Sequence, residues 1–125
     1  MSYSLNELEI YREATCLGEL VWHCVAKWDC LGKNLIGKQI IRSADSIAAN
    51  IAEGHSRLYP KENLKFCYYS HSSLTETQTW LKYAARRKLI DEIQTRQLYS
   101  ELETLRKRLN SYIKSIGPKS DTRDS

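Results

Sequence analysis

Apolar residues recur at intervals of three and four along four stretches of this 125-residue chain, which is the spacing of amphipathic helices. The chain has five glycines and two prolines, and most of them separate these stretches. None of the stretches shows sustained alternation of apolar and polar residues, so strands are not expected. Four such helices bury their apolar stripes most simply in an antiparallel, up-down-up-down four-helix bundle, and we therefore predict an all-α fold.

The first helix is predicted over residues 5–27, with Ser4 as its N-cap and Glu7 as the partner in a capping box. Gly18 lies inside this helix at a cost of roughly 1 kcal/mol relative to alanine, which a close approach of another helix would justify. A connection with two glycines is predicted over residues 28–37. The apolar stripe of the first helix is Leu8, Tyr11, Ala14, Leu17, Val21, Cys24 and Val25.

The second helix is predicted to begin at Leu35 or Lys38 and to end at Glu53. Gly54 is expected to end it as a left-handed C-cap, because glycine adopts positive φ without steric cost. The predicted buried stripe of this helix is Ile36, Ile40, Ala44, Ile47 and Ile51.

The third helix is predicted over residues 61–88 after Pro60, and the fourth begins at the N-cap Asp91 and is stopped by Gly117 and Pro118. The fourth stripe alternates spacings of four and three, as a heptad seam does. The third stripe is Leu64, Cys67 or Tyr68, His71, Leu74, Gln78, Leu81 and Ala85. The fourth is Leu98, Leu102, Leu105, Leu109, Tyr112 or Ile113, and Ile116.

The length suits a single domain, with residues 1–117 forming the bundle and residues 118–125 a short flexible C-terminal tail. The composition, 42% hydrophobic and 27% charged, is that of an ordinary globular protein. No apolar run approaches the ~20 residues that cross a bilayer, and the N-terminus lacks a basic segment followed by an apolar one. We therefore expect a cytoplasmic protein with no membrane partner.

The cysteines lie in or beside apolar stretches, and no two have the short spacing of a zinc site or a redox pair. In a reducing compartment they are expected to be small buried hydrophobes. Glu19 and His23, one helical turn apart, are the start of a metal site that no further residue completes, so we predict no metal and no cofactor. The cysteines are Cys16, Cys24, Cys30 and Cys67.

His55 lies beside Glu53 and near Arg57, a grouping that suggests acid–base chemistry. The sequence contains no Ser/His/Asp or Cys/His set, no phosphate-binding loop and no paired metal carboxylates. No Glu-x-x-His motif of a di-iron bundle is present either. We therefore predict that the protein has no catalytic residues and is not an enzyme.

The net charge of +4 is distributed unevenly along the chain. Through residue 30 there are two basic and five acidic residues, a net charge of −3, whereas the remaining 17 basic and 10 acidic residues give +7. A basic surface, if one forms, is therefore on the later helices. Such an imbalance suits nucleic acid or acidic partner surfaces, and a solvated helix face has the same composition.

Residues 39–54 interleave polar side chains with isoleucines and alanines, which forces the polar groups close to the core. Ser46 and Asn50 are one turn apart, so they can hydrogen-bond each other or a neighbouring helix. Because a buried polar group is costly without a partner, the third helix must supply partners. The candidates are Ser70, Ser73 and Glu76.

The sequence resembles the small bacterial four-helix-bundle proteins encoded by intervening sequences within large-subunit (23S) ribosomal RNA genes. The resemblance rests first on the segment from Gln39 to Arg57, with Arg42-Ser43-Ala44 and Ser46-Ile47 followed by Asn50-Ile51-Ala52-Glu53-Gly54. It continues with Lys61-Glu62, Phe66, Ser73-Leu74, Glu76 and the basic link to Leu89-Ile90.

The resemblance implies an antiparallel four-helix bundle that assembles as a ring-like homopentamer. Distant relatives are accessory proteins of diversity-generating retroelements, in which a basic pentamer binds RNA and a reverse transcriptase. The chain departs from the family pattern over residues 28–33, which replace an aromatic-Pro segment, and it lacks a long basic tail. These departures concern the first connection and any RNA contact made by a tail.

A set of basic residues on the second and third helices forms the predicted nucleic-acid-binding site, because lysine and arginine contact phosphates. The run from residue 82 to 88 has no acidic residue and is the strongest local patch; the alternative is a solvated helix end whose cations favour the helix dipole. The set is Lys38, Arg42, Arg57, Lys61, Lys65, Lys82, Arg86, Arg87 and Lys88.

A second set of residues is predicted to be a polar structural motif that fixes helix register or a subunit interface, with ligand contact as the alternative. Aromatic residues on and before the third helix offer base stacking if exposed, but we expect them to pack in the helix core. The motif is Ser46, Asn50, Glu53, Gly54, Ser73 and Glu76, and the aromatic residues are Tyr59, Tyr68, Tyr69, Trp80 and Tyr83.

Two functions are compatible with these features. The first is a non-catalytic, oligomeric protein that binds RNA or DNA, as the resemblance and the late basic bias indicate. The second is a structural scaffold that presents its surface to a protein partner and has no role with nucleic acid.

Overall fold

A computed structural model describes the backbone of residues 8–124 and the side chains of residues 8–116. This part of the chain contains no strand. A short helix, a π-helical turn and a longer helix follow one another without a break, so the described chain forms four helical rods. The elements are α1 (Glu9–Val25), α2 (Cys30–Gly32), the π-helical turn (Lys33–Gly37), α3 (Lys38–His55), α4 (Pro60–Arg86) and α5 (Glu92–Asp124).

Consecutive rods run in opposite directions. Ser43 near the start of α3 contacts Thr77 near the end of α4, and Gly54 at the end of α3 lies against Asn63 at the start of α4. The same reversal relates α1 to α3, α4 to α5, and α5 to α1. The predicted antiparallel four-helix bundle is therefore confirmed. No helix within residues 8–124 has the length and apolar character needed to cross a membrane.

The core follows the predicted stripes closely in three rods. The five predicted residues of the second helix are all buried, as are the four leucines of the fourth. Tyr11 and Cys24 on α1 are only half-buried. The third helix differs, because its buried face includes small residues that an apolar pattern overlooks, while His71 and Gln78 are half-exposed. Those small buried residues are Ser70, Thr77 and Ala84.

The segment predicted as a connection over residues 28–37 is largely helical, so that prediction is wrong. Asp29 is the N-cap of α2 and accepts a hydrogen bond from the Gly32 backbone N–H at 2.7 Å. A Cβ atom on Gly32 would lie 2.7 Å from a methyl carbon of Leu89, and one on Gly37 would lie 2.7 Å from a methyl carbon of Val25. These two glycines therefore permit close packing inside a helix and do not make a turn.

Two predicted helix ends are also wrong. Gly54 lies inside α3 with no positive φ, and the helix ends one residue later at His55, with Ser56 as the C-cap. The last helix continues past Gly117 and Pro118 to Asp124, since a proline removes one backbone hydrogen bond and weakens a helix without forbidding it.

Two other predicted helix ends are confirmed. Pro60 is the first residue of α4, and Asp91 accepts a hydrogen bond from the Gln94 N–H at 2.8 Å. The predicted capping box of Ser4 and Glu7 lies outside the described residues. The domain boundary at residue 117 and the flexible tail stay predictions.

Candidate nucleic-acid interface

Three fully buried hydroxyl groups join α3 to α4. Ser70 Oγ donates a hydrogen bond to the Ile47 carbonyl at 2.8 Å, and Thr77 Oγ1 lies 2.8 Å from Ser43 Oγ. Thr77 Oγ1 is also 2.8 Å from the Ser73 carbonyl. An unpaired buried hydroxyl costs about 1 to 3 kcal/mol, so these contacts let the two helices pack closely without that loss. Ser70 is therefore one of the predicted partners, whereas Ser73 contributes only its backbone carbonyl, to Thr77 of its own helix.

Ser43 and Thr77 were missed by the sequence reasoning. Ser43 lies three residues after Ile40 and four before Ile47, so it continues the buried stripe of α3 and its spacing was a usable indication. Thr77 has the same spacing, three residues after Leu74 and four before Leu81, but the predicted stripe used its neighbour Gln78 instead. Gln78 instead donates to Glu103 Oε2 on α5 at 2.7 Å.

Ser46 and Asn50 are half-buried and bond within their own helix. Ser46 Oγ donates to the Arg42 carbonyl at 2.8 Å, and Asn50 Nδ2 donates to the Ser46 carbonyl at 2.9 Å. Neither side chain bonds to another helix in the described structure. The contact between α3 and α4 therefore depends on other members of the motif.

Arg42 is one member that reaches α4, where its guanidinium pairs with the Glu76 carboxylate. Trp80 Nε1 donates to the same carboxylate at 3.0 Å, and Gln39 Oε1 accepts from Arg42 at 3.1 Å. The Trp80 hydrogen bond, together with Arg42, lowers the pKa of Glu76. The prediction that Glu76 serves as a partner on the third helix is confirmed, and the charge of Arg42 is offset by it.

Arg57 lies at the opposite end of the same helix pair. It is 2.7 Å from Glu53 and 3.6 Å from Glu62, and its guanidinium carbon is 4.8 Å from the centroid of the Phe66 ring. Glu53 is thus an ion-pair partner of Arg57. Gly54 is next to this cluster, where a Cβ atom would lie 3.0 Å from the Phe66 Cβ.

The structure divides the predicted basic set between two ends of the bundle. Lys65 and Lys82 are 17 residues apart on α4, which at the helical rise is about 25 Å. Because α3 and α4 are antiparallel, Lys38 is at the same end as the run from residue 82 to 88. The group near the opposite end is Arg57, Lys61 and Lys65.

The basic run at the end of α4 adopts a Schellman motif, a helix-ending turn with two reversed hydrogen bonds. The Leu89 N–H donates to the Ala84 carbonyl at 2.9 Å, and the Lys88 N–H donates to the Ala85 carbonyl at 3.1 Å. Lys88 has φ of 61°, the only positive φ of a non-glycine residue in the described chain. Glycine is the usual residue at this position, because any Cβ is strained there.

The tyrosines of α4 do not pack in the core, so that expectation is wrong for them. Tyr68, Tyr69 and Tyr83 are 55%, 48% and 36% exposed, and Tyr59 before the helix is 64% exposed. The helical periodicity explains the result, since these residues fall on the side away from the buried stripe. Only Trp80 of the predicted aromatic set is packed against the core.

Cysteine burial was predicted correctly only in part. Cys67 is buried and Cys24 is half-buried, and this burial raises the pKa of Cys24 and raises that of Cys67 to about 11. Cys16 and Cys30 are exposed, because their positions on α1 and α2 point away from the core. Within residues 8–116, no three His, Cys, Asp or Glu side chains lie close enough together to hold a metal ion.

Comparison with known proteins assigns the chain to a family. Residues 6–111 match the model of the 23S rRNA-intervening sequence protein family. No protein with a curated description matches the chain significantly. A protein of unknown function from the S23 ribosomal protein family of Bacteroides thetaiotaomicron VPI-5482 has a similar fold, with a TM-score of 0.76 and 22% identity over 84% of this chain and 98% of that chain. Because the family match spans nearly the whole bundle, the chain belongs to the 23S rRNA-intervening sequence protein family.

Proposed function

We propose that this protein is a non-catalytic, self-associating RNA-binding protein whose cations at the end of α4 contact RNA phosphates. The observation that carries the proposal is an exposed cluster without carboxylate partners, which we call the α4 basic end. None of its members forms an ion pair within the described structure, although Arg87 lies 5.0 Å from the Tyr83 ring centroid. The α4 basic end comprises Lys82, Arg86, Arg87 and Lys88.

The acidic residues that follow in the sequence are already engaged. Asp91 caps α5, and Glu92 pairs with Arg96 one turn further on. The positive charge of the α4 basic end is therefore available to bind a polyanion. Among polyanions RNA is favoured, because the family name refers to sequences within 23S rRNA.

Stabilisation of the helix end does not explain why a lysine occupies position 88. A cation near a helix C-terminus gains about 0.3 to 1 kcal/mol from the dipole at low salt, whereas a left-handed backbone costs a residue with a Cβ about 1 to 2 kcal/mol. Glycine at this position would avoid the backbone cost, which is the larger of the two energies. A contact made by the lysine ammonium group is a physical reason for lysine at a position that favours glycine.

Binding of a labelled structured RNA at two salt concentrations tests the proposal. We expect affinity to fall steeply with salt, and the slope of log K against log salt to decrease by about one for each phosphate contact removed. Lys88→Gly should make the bundle about 1 kcal/mol more stable while weakening RNA binding. Lys114→Gln, which removes one exposed charge from α5, is the matched control and should bind like the wild type. Absence of wild-type binding at the lower salt would exclude the proposed function.

Exposed leucines favour the self-association included in this proposal. Leu31 and Leu35 are 69% and 60% exposed and lie one turn apart around the π-helical turn. A pentamer is the assembly that the family resemblance implies. Light scattering at micromolar concentration tests it, and a stable monomer would contradict it.

The same leucines favour the second candidate function, a scaffold for a protein partner. That function predicts that a protein co-purifies from native cells and stays bound after nuclease treatment. The RNA-binding function predicts that nuclease removes what co-purifies.

A further inference from the structure

The outer side of α4 carries a continuous stripe of exposed residues between its two ends. The spacing is three or four residues at each step, so the side chains line up on one face of the helix. The first and last residues of the stripe are 21 positions apart, or about 30 Å at the helical rise. The α4 outer stripe consists of Lys65, Tyr68, Ser72, Thr75, Thr79, Tyr83 and Arg86.

The stripe has a regular chemical order, with a cation at each end, a tyrosine inside each cation and hydroxyl residues between. The rings of Tyr68 and Tyr83 are exposed on a face that no other helix of the described structure covers. Each ring is three residues from the nearest terminal cation, Lys65 or Arg86. Ser72 has no hydrogen-bond partner within the described structure, so its hydroxyl is available to a ligand.

The electrostatics of this face suit a polyanion. Glu76 is the only acidic residue between Glu62 and Asp91. Its carboxylate is held by Arg42 and Trp80, and Glu62 lies 3.6 Å from Arg57. A phosphate backbone laid along α4 would therefore meet cations at both ends and no uncompensated carboxylate on the way.

The exposed rings decide which nucleic acid fits. Paired bases in an RNA duplex are already stacked and present mainly phosphates and sugars, so a tyrosine face gains little from them. Unpaired bases stack on aromatic side chains whatever their identity. Exposed hydroxyls can in addition bond phosphate oxygens and the ribose 2′-hydroxyl.

We infer that the α4 outer stripe is a binding surface for single-stranded RNA, on which Tyr68 and Tyr83 stack unpaired bases while Lys65 and Arg86 contact the flanking phosphates. This inference rests on the proposed function and extends it, because phosphate contacts at the α4 basic end alone do not favour unpaired bases over a duplex. The stripe supplies a preference for unpaired bases.

The test compares a short labelled oligouridine with a duplex of similar length by fluorescence anisotropy. We expect wild-type protein to bind the single strand more tightly. Tyr68→Ala and Tyr83→Ala should each weaken single-strand binding roughly 5- to 150-fold, the range for loss of one base–aromatic stack, with little effect on the duplex. The salt slope should stay unchanged, because stacking releases no counterions.

Two control variants define what the loss means. Tyr68→Phe keeps the ring and should bind nearly as the wild type does. Tyr99→Ala removes a tyrosine of similar exposure, 43%, from α5, where no such stripe is proposed, and should also bind normally. Circular dichroism and light scattering on every variant establish that fold and assembly are intact.

Three results would overturn the inference, and they separate it from the proposed function. If wild-type protein binds neither RNA, the proposed function fails with it. If the tyrosine variants bind the single strand as the wild type does while variants of Lys82 and Arg87 lose binding, the function stands and the stripe is not its surface. If the tyrosine variants change the mass in solution, the stripe is a contact between copies of this chain.

Discussion

Gly54 is the position where a single methyl group should have the clearest effect on this bundle. In Gly54→Ala the new Cβ would lie 2.6 Å from Asn63 Oδ1, 3.0 Å from the Asn63 carbonyl oxygen and 3.0 Å from the Phe66 Cβ. The last two atoms belong to the backbone and first side-chain carbon of α4, so they cannot move without the helix. The Asn63 side chain is also held, because its Nδ2 donates to the Tyr112 hydroxyl at 3.2 Å and its Oδ1 accepts from Cys67.

The magnitude follows from two opposing contributions. Alanine is favoured over glycine inside a helix by roughly 1 kcal/mol, and Gly54 has ordinary helical φ, so the backbone accepts alanine. Overpacking at a close contact costs about 1 to 3 kcal/mol, because α4 must move away from α3. We therefore expect Gly54→Ala to lower the free energy of unfolding by up to about 2 kcal/mol.

Gly18→Ala is the matched control, since it makes the same substitution in a buried position within a helix. Its Cβ would meet Asp45 Oδ1 at 2.7 Å and no backbone atom of another described helix within 4 Å. Asp45 is exposed, so its carboxylate can turn into solvent. Gly18→Ala should be neutral or more stable than the wild type by up to about 1 kcal/mol.

Urea unfolding followed by far-ultraviolet circular dichroism measures both variants. Protein concentration must be the same in all samples, because self-association makes the transition midpoint depend on it. Equal stabilisation by both substitutions would show that the close contact at Gly54 relaxes freely. In that case the packing argument would be wrong.

Three further outcomes are expected. Thr77→Val removes a buried hydroxyl but keeps the side-chain shape, so Ser43 loses its partner on α4. We expect it to lower the free energy of unfolding by about 1 to 2 kcal/mol, and a change below about 0.5 kcal/mol would contradict this. Hydrogen bonds from Arg106 and Gln78 lower the pKa of Glu103 to about 2, so this carboxylate contributes stability above its ordinary pKa of 4.5. That contribution is lost as the pH falls from 4.5 towards 2, so the stability difference between wild type and Glu103→Gln should shrink over this range, and a difference independent of pH would refute the assignment. In a disulfide-exchange assay at mildly alkaline pH, the exposed Cys16 should react at once, whereas the buried Cys67, with its pKa of about 11, should react only on unfolding. Rapid reaction at Cys67 in the folded protein would show that this part of the core opens.

The sequence determined the number, direction and buried faces of most helices, because apolar periodicity depends only on residue spacing. The stripe from Ile36 to Ile51 and the leucines of α5 were predicted residue by residue and are buried. The sequence also identified Glu76 as a partner on the third helix, since a polar group within an apolar stripe requires one.

Tertiary structure alone decided how the glycines are used and which polar residues meet. Gly54 suits a helix end as well as it suits a close contact, and only the position of α4 distinguishes the two. The spacing of Thr77 agrees with a buried position, but only the packing of α3 on α4 decides that its hydroxyl meets Ser43, 34 positions away in the chain.

The candidate site shows the same division between sequence and tertiary structure. The basic residues were evident as a list, but antiparallel packing separates them into two ends of the bundle. In the sequence Lys88 is one of four neighbouring cations, and only the structure shows that it has positive φ in a helix-ending turn. The tyrosines of α4 were expected in the core because aromatic side chains contribute large apolar surfaces there, and their exposure depends also on how wide a face of α4 the neighbouring helices cover. That width depends on where α3 and α5 lie beside α4, which leaves Tyr68 and Tyr83 exposed.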